Sequence, residues 1–293
     1  MITAPSTFDE VSEAARDALR GAIDLHAHAG PDPFAERKLD ARGLVDDYAA
    51  AGLSGFVFKS HEYPTQPLAW ALNQEFEASR GIHVTGAIAL DHAVGGLNPD
   101  ALEVALRIGT GVVWMPTFDS AWSRERFGRW NSQQPAMTVF DADGRLLEVC
   151  GTLLDLIAEH DATLCTGHLS PEETLAMVMA SRERSIRTIV THATSFFIPM
   201  EVQRAAADLG AFVEQCGNSI YREGGIAIRD QMLHEVRELG PEHVVLSTDL
   251  GQATNPLPSI GYGYWLQQFL EGGFTGAEVR RMAQENPRAA LGG

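Results

Sequence analysis

Residues 21–28 read GAIDLHAH, a short apolar run that ends in two histidines separated by one alanine. Alternate residues of a β-strand face the same side, so His26 and His28 leave one strand end together. Where the strand ends and the chain begins to turn, both imidazoles can converge on one ion. This segment therefore predicts a metal site.

Three further segments repeat this pattern of an apolar, β-branched run that stops at a potential metal ligand. They read LCTGH at 164–168, TIVTH at 188–192 and VVLSTD at 244–249, and they end at His168, His192 and Asp249. In barrel enzymes the carboxyl ends of the strands carry the chemistry. The three segments therefore predict ligands at one end of a parallel sheet.

Short apolar runs alternate with amphipathic segments along the chain, which is the pattern of βα units. We predict an α/β protein consisting of a single (β/α)8 TIM barrel over residues 1–293. The strands end near residues 28, 59, 90, 115, 168, 192, 214 and 249. The helices lie near 40–51, 66–79, 99–109, 146–160, 171–183, 200–209, 227–238 and 262–271.

Additional segments flank and interrupt the predicted barrel. A helix is expected near 8–20, and a last one near 276–283, which Pro287 should stop. The interval of about 117–145 after strand four is predicted to be a long loop with a hairpin around residues 141–144. Loops of this length after barrel strands lie on the active face, where they line or cover a pocket.

The composition limits the classes of partner. The chain has 39 acidic and 22 basic residues and a formal net charge of −17, which disfavours binding to nucleic acid or an anionic membrane. Three cysteines, no export signal and no long apolar stretch predict a cytoplasmic protein. We expect a small molecule as the partner and leave a homo-oligomer open.

The long loop and the segment after strand eight contain candidate substrate contacts. Three arginines and two tryptophans in the loop, among them Trp122 and Arg124, suit an anionic or aromatic substrate group. A packed Ω-loop without substrate contact explains them equally well. Tyr262 is expected to border the pocket, between glycines 261 and 263 in a flexible loop.

The ordered set of ligands resembles the amidohydrolase superfamily of metal-dependent hydrolases. The resemblance spans nearly the whole barrel: His26-Ala27-His28 on strand one, His168 on strand five, His192 on strand six and Asp249 on strand eight. Residues 285–290, ENPRAA, also resemble the usual last helix of that superfamily.

The resemblance implies one metal held by the paired histidines and Asp249, and a second held by His168 and His192. A carboxylated lysine or a glutamate from strand four often bridges the two ions, but residues 111–116 read GVVWMP and contain neither. Lys59 is the nearest substitute for this bridging residue, and it would act as a metal ligand in its carboxylated form. Alternatively, Lys59 binds a substrate carboxylate or pairs with Asp24 or Glu62. Glu214 is a weaker candidate for the bridge than Lys59, and it is better explained as a hydrogen-bond acceptor for a metal ligand.

The expected cofactor is one or two divalent ions, zinc first, with Mn²⁺, Fe²⁺ and Ni²⁺ as alternatives. The implied reaction is hydrolysis of an amide, cyclic amide or lactone by metal-activated water. Asp249 would move the proton, and His61 would polarise the carbonyl if one metal binds. A mononuclear decarboxylase of the same superfamily is the alternative, and a non-enzymatic metal-binding protein is a third reading.

Overall fold

The computed structural model describes residues 2–128 and 132–293, and these ranges contain eight β-strands in one sheet. The strands are β1 (Ile23–Ala27), β2 (Gly55–Phe58), β3 (His83–Ala89), β4 (Val112–Trp114), β5 (Thr163–Cys165), β6 (Thr188–Val190), β7 (Phe212–Cys216) and β8 (Val244–Ser247). Their order is β1 to β8, and a parallel bridge joins the end of β1 to the residues after β8. This topology confirms the predicted (β/α)8 barrel fold.

The α-helices alternate with the strands, as the periodicity predicted. They are α1 (Glu13–Leu19), α2 (Ala41–Ala51), α3 (Gln66–Arg80), α4 (Pro99–Ile108), α5 (Ala121–Phe127), α6 (Glu148–Glu159), α7 (Pro171–Arg182), α8 (Met200–Asp208), α9 (Gly225–Leu239), α10 (Pro258–Glu271), α11 (Gly276–Arg280) and α12 (Asn286–Ala290). Ser170 caps α7 in a capping box with Glu173, which fixes the helix start soon after His168.

Two boundaries at the carboxyl-terminal end differ from the prediction. Helix α10 begins at Pro258, so residues 261–263 are helical and are not a flexible loop. A Cβ atom at Gly261 would lie 2.3 Å from Leu250 Cδ1, so close packing explains this glycine. The helical path also continues through Pro287, because a π-helical segment at Arg281–Glu285 leads into α12 and places the proline in its first turn.

The interval after β4 contains an additional short helix, α5, which the sequence analysis missed. Beyond it, a bridge between Phe140 and Leu146 closes the predicted turn around residues 141–144. Two residues of this interval that contributed to the substrate prediction, Arg129 and Trp130, lie outside the described residues.

The chain divides into two compact units. The first comprises Met1–Lys59, Leu68–Thr85 and Glu214–Ala289, and the second comprises Ser60–Pro67, Gly86–Val213 and Ala290–Gly293. The prediction of one domain over 1–293 stays a prediction.

Each unit has its own apolar cluster. In the first unit Val11, Ala15 and Ile260 pack together. In the second unit a larger cluster includes Ile88, Val113 and Leu164 from neighbouring strands. Within the described ranges, no helix combines the length and apolar character needed to cross a bilayer.

Candidate metal centre

Three predicted ligands in the first unit lie close together at the ends of β1 and β8. The amide of Asp249 donates to the carbonyl of His26 at 2.7 Å, and the amide of His28 donates to the carbonyl of Leu250 at 2.8 Å. These backbone bonds bring the side chains of His26, His28 and Asp249 together, with one donor atom of each within 4.8 Å of the others. We call these three residues the β1–β8 trio.

The chemistry of the β1–β8 trio fits a divalent cation. Asp249 Oδ1 lies 3.0 Å from His28 Nε2 and 3.5 Å from His26 Nε2. Both histidines are buried, and the side chain of Asp249 retains only 16% exposure. Two imidazole nitrogens and one carboxylate oxygen form a donor set that zinc and other first-row divalent metals accept.

Glu214 and Lys59 flank the two ring nitrogens of His26. Glu214 Oε2 lies 3.2 Å from His26 Nδ1, and Lys59 Nζ lies 2.9 Å from His26 Nε2. A carboxylate that accepts from Nδ1–H fixes the tautomer and puts the lone pair on Nε2, the nitrogen that faces Lys59 and Asp249. Glu214 therefore has the hydrogen-bond contact that the sequence analysis favoured for it.

The electrostatic surroundings favour a neutral His26 ring. Burial, followed by the charge of Lys59, holds the pKa of His26 well below its ordinary range, although Asp249 opposes this effect. A neutral imidazole is the form that coordinates a metal. Lys59 itself is 1% exposed, so a charged ammonium there is separated from bulk water.

A network of amide side chains orients Asp249. Asn218 Nδ2 donates to Asp249 Oδ2 at 2.8 Å, which leaves Oδ1 directed at the imidazoles. Asn255 donates to the Asn218 oxygen at 3.0 Å and to Gln252 at 2.8 Å, and Gln252 donates to the Asp249 carbonyl at 2.9 Å. Asp249 also has a φ of +52°, a left-handed conformation that costs an aspartate on the order of 1 kcal/mol.

A buried carboxyl group joins the same two strand ends. Asp24 accepts hydrogen bonds from the hydroxyls of Tyr48 at 2.5 Å and Thr248 at 2.6 Å, and from the amide of His26 at 3.1 Å. Burial raises the pKa of Asp24 to about 7, although its hydroxyl and amide donors oppose this. Asp24 thus stabilises the backbone that carries the β1–β8 trio.

Three other predicted residues, His61, His168 and His192, lie together in the second unit, and we call them the imidazole group. The ring centroids of His168 and His192 are 5.4 Å apart, and those of His61 and His168 are 6.1 Å apart. His192 has a φ of +49°, an uncommon conformation for a non-glycine residue. The predicted metal-binding roles of His168 and His192 are not tested by these contacts and stay predictions.

His61 is held by a hydroxyl and a carboxylate. Its Nδ1 lies 2.7 Å from Thr117 Oγ1 and 3.8 Å from Asp91 Oδ2, and the Thr117 hydroxyl donates to that carboxylate oxygen. Asp91 also accepts from the amides of Thr117 and Asp119. Local pattern predicted His61 but not its two partners, although Asp91 directly follows the predicted end of strand three and Thr117 lies two residues beyond that of strand four.

The predicted substrate-binding residues make internal contacts. Trp122 Nε1 donates to the carbonyl of Phe196 at 3.0 Å. Arg124 forms an ion pair with Asp119, and its side chain is 6% exposed. Tyr262 is fully buried in α10, and its hydroxyl donates to the carbonyl of Leu246 at 2.7 Å. Tyr262 therefore packs a helix against a strand instead of bordering a pocket.

Comparison with known proteins places the chain in a described family. The family model "Family of unknown function (DUF6282)" matches residues 21–214, more than half of the 293 residues. No curated protein matches the sequence.

Solved structures share the fold at low sequence identity. An amidohydrolase from Pseudomonas aeruginosa has a TM-score of 0.69 and 13% identity, with 95% of this chain and 97% of that chain covered. A lactonase from Listeria monocytogenes has a TM-score of 0.63 and 16% identity, with 94% of each chain covered. A 2,6-dihydroxybenzoate decarboxylase, solved with 2,6-dihydroxybenzoate, has a TM-score of 0.55 and 13% identity, with 93% and 99% covered. These similarities confirm the resemblance to the amidohydrolase superfamily at the level of the fold.

Proposed function

We propose that this chain, which belongs to the Family of unknown function (DUF6282), is a metal-dependent hydrolase of a small molecule. The bond cleaved is an amide, a cyclic amide or a lactone. The observation that carries this proposal is the β1–β8 trio, in which two imidazoles and a carboxylate converge within 4.8 Å. The fold shared with an amidohydrolase and a lactonase supports the same class of reaction.

His26, His28 and Asp249 would hold a divalent cation, zinc first, with manganese, iron and nickel as alternatives. His168 and His192 are the proposed ligands of a second ion. A bound divalent cation supplies Lewis acidity, which lowers the pKa of water and polarises a carbonyl group. The remaining steps depend on side chains of this protein.

Asp249 is the proposed proton carrier. Its carboxylate takes a proton from the attacking water as the new carbon–oxygen bond forms. The same proton then passes to the leaving nitrogen or oxygen as the scissile bond breaks, so water is consumed and no other reactant is needed. Asn218 donates to Oδ2 of Asp249 and so fixes the orientation of the carboxylate for this transfer.

If only one metal ion binds, His61 is the proposed group that polarises the scissile carbonyl and, in its imidazolium form, stabilises the developing oxyanion. Thr117 and Asp91 contact its Nδ1 side and fix the orientation of the ring, and Nε2 is the nitrogen proposed to face the substrate. A histidine fixed on one side in this manner loses little rotational freedom when a substrate binds.

Lys59 is proposed as a carboxylated ligand. The Lys59 ammonium would release one proton to solvent, and its amine nitrogen would then bond to the carbon of carbon dioxide and release a second proton, so that a carbamate anion replaces a buried cation. The position of Nζ 2.9 Å from His26 Nε2 supports this proposal, because an anion there would favour a nearby metal. Direct binding of a substrate carboxylate by the Lys59 ammonium is the alternative.

Decarboxylation by a single metal ion is the second candidate reaction. Strand β4 reads Val-Val-Trp and offers neither the lysine nor the glutamate that bridges two ions in the superfamily. The fold is also shared with a 2,6-dihydroxybenzoate decarboxylase. A decarboxylase would release carbon dioxide and would incorporate no oxygen from water into its product.

The test is turnover by metal-free protein reloaded separately with zinc, manganese, iron or nickel. The panel contains amides, cyclic amides, lactones and aromatic carboxylic acids, in water enriched in ¹⁸O. We expect hydrolysis with ¹⁸O in the new carboxyl group. Carbon dioxide release without ¹⁸O incorporation would instead establish decarboxylation, and the absence of turnover on all classes with metal bound would favour a non-enzymatic metal-binding protein.

A further inference from the structure

Two phenylalanines of the second unit contact the imidazole group, and two more continue from them to the protein surface. Phe118 lies 4.5 Å from His61 and 5.2 Å from His168 between ring centroids. Phe196 stacks on His168 at 4.0 Å and on His192 at 5.0 Å. We call Phe118, Phe127, Phe196 and Phe197 the aromatic wall.

The outer part of the aromatic wall is exposed to solvent. Phe127 packs 5.2 Å from Phe196 and 6.5 Å from Phe197, in a nearly parallel arrangement with the latter. Phe127 is 49% exposed and Phe197 is 60% exposed. A continuous row of rings therefore leads from solvent to two predicted metal ligands and the proposed oxyanion donor.

Phe197 is exposed in an unfavourable backbone conformation. Its φ is +62°, a region that bulky residues rarely adopt, and the turn is held by bonds from the Phe197 amide to Thr194 and from the Ile198 amide to Ala193. Neither the exposed ring nor this conformation favours folding. Such an arrangement is typical of a residue retained for binding.

The two arginines of α5, the helix that contains Phe127, bind other groups of the protein. Arg124 pairs with Asp119 and donates to the carbonyl of Gln134 at 2.5 Å. Arg126 lies over the ring of Trp122, 3.0 Å from its centroid, and forms an ion pair with Glu125. Of the two substrate chemistries that the sequence suggested, anionic and aromatic, the contacts of these arginines favour the aromatic one.

We infer that the aromatic wall selects substrates that carry an aromatic ring, uncharged at that end, next to the scissile bond. This inference rests on the proposed function and names its substrate class. Ring-on-ring contact with Phe196 and Phe197 supplies affinity, because stacked or edge-on aromatic pairs add to the burial of apolar surface. The net charge of −17 also disfavours an acidic group at the entrance.

The test compares binding of three phosphonates to the zinc-loaded protein by calorimetry: benzylphosphonate, methylphosphonate and phosphonoacetate. All three carry a phosphonate on a methylene carbon and differ in the attached phenyl, hydrogen or carboxylate, and the carboxylate of phosphonoacetate is a second metal-binding group. We expect benzylphosphonate to bind at least about tenfold more tightly than the other two. Phe127→Ala and Phe197→Ala should each reduce that preference at least about threefold.

The matched control is Trp70→Ala, which removes an aromatic ring with 63% exposure from α3 in the first unit. This variant should retain the full preference for benzylphosphonate. Equal affinities for benzylphosphonate and methylphosphonate, or an unchanged preference in both phenylalanine variants, would overturn the inference. Zinc content is measured in the same samples: no bound zinc would refute the proposed metal site, and this inference with it.

Discussion

The β1–β8 trio and the imidazole group each gather polar residues at or just after strand ends, but their surroundings differ. The trio is held by hydrogen-bonding groups, since Asn218 and Glu214 contact its members directly. The imidazole group is packed against phenylalanine rings, with Phe196 stacked on two of its members. We propose that the first region holds charge and that the second combines metal ligation with apolar recognition.

The largest expected effect, on bound metal and on turnover, follows from substituting a residue of the β1–β8 trio. His26→Ala should remove bound metal and activity while leaving the fold largely intact, because the backbone bonds of β1 and β8 do not need the imidazole. Asp249→Asn should lower kcat about 10²- to 10⁴-fold, the range for loss of a positioned acid or base. Metal analysis, circular dichroism and turnover measure these effects.

Two conservative surface changes serve as controls for the trio. His83→Ala and Asp9→Asn alter exposed side chains, with 55% and 94% exposure, and should keep metal and activity at the wild-type level. Normal turnover in purified His26→Ala or Asp249→Asn would count against the roles assigned to them.

Lys59→Ala should lower metal occupancy next most strongly, because it removes a buried group 2.9 Å from His26 Nε2. If Lys59 is carboxylated, bicarbonate together with a short carboxylic acid should restore metal binding to this variant. Metal content with and without these additives is the measurement. Unchanged occupancy in Lys59→Ala would remove the bridging role and leave substrate binding as the alternative.

Asn218→Ala should weaken zinc affinity about tenfold, the lower end of the range for removing a group that orients a ligand. Asn73→Ala is the matched control, since Asn73 exchanges two hydrogen bonds with the backbone of Val84 in the same unit. That control should lower the melting temperature without changing zinc affinity. Equal zinc affinities for the wild type and both variants would show that the amide network does not orient Asp249.

The smallest expected effect concerns Phe197, which belongs to the aromatic wall beside the imidazole group. Phe197→Gly should stabilise the fold by about 0.5–1 kcal/mol, because glycine adopts a φ of +62° without strain and the lost ring is 60% exposed. It should also weaken benzylphosphonate binding. Thermal unfolding and calorimetry test both effects, and a lower melting temperature would indicate that the ring contributes packing instead of recognition.

The sequence predicted the barrel well because strand and helix periodicity extends over nearly every βα unit. Paired histidines at the end of β1 and Asp249 after β8 were identified because local residue order alone marks a strand end. Helix α10 was placed four residues too late, since Gly261 and Gly263 suggest a loop until their close contacts with other residues are known.

The contacts that the sequence did not predict are formed between side chains from distant segments of the chain. Asn218 contacts Asp249 across 31 residues of sequence, and Phe196 approaches Phe127 from a separate loop. Arg124 was predicted to meet a substrate, yet its buried partner Asp119 is visible only in three dimensions. Periodicity reports which face of an element is buried, but it does not report which side chains meet there.

Metal binding by the β1–β8 trio is tested by anomalous diffraction from crystals grown with zinc, recorded at the zinc absorption edge. We expect a peak at about 2.0–2.2 Å from a nitrogen of His26, a nitrogen of His28 and an oxygen of Asp249. A zinc-loaded crystal whose anomalous peaks all lie away from these three side chains would contradict it.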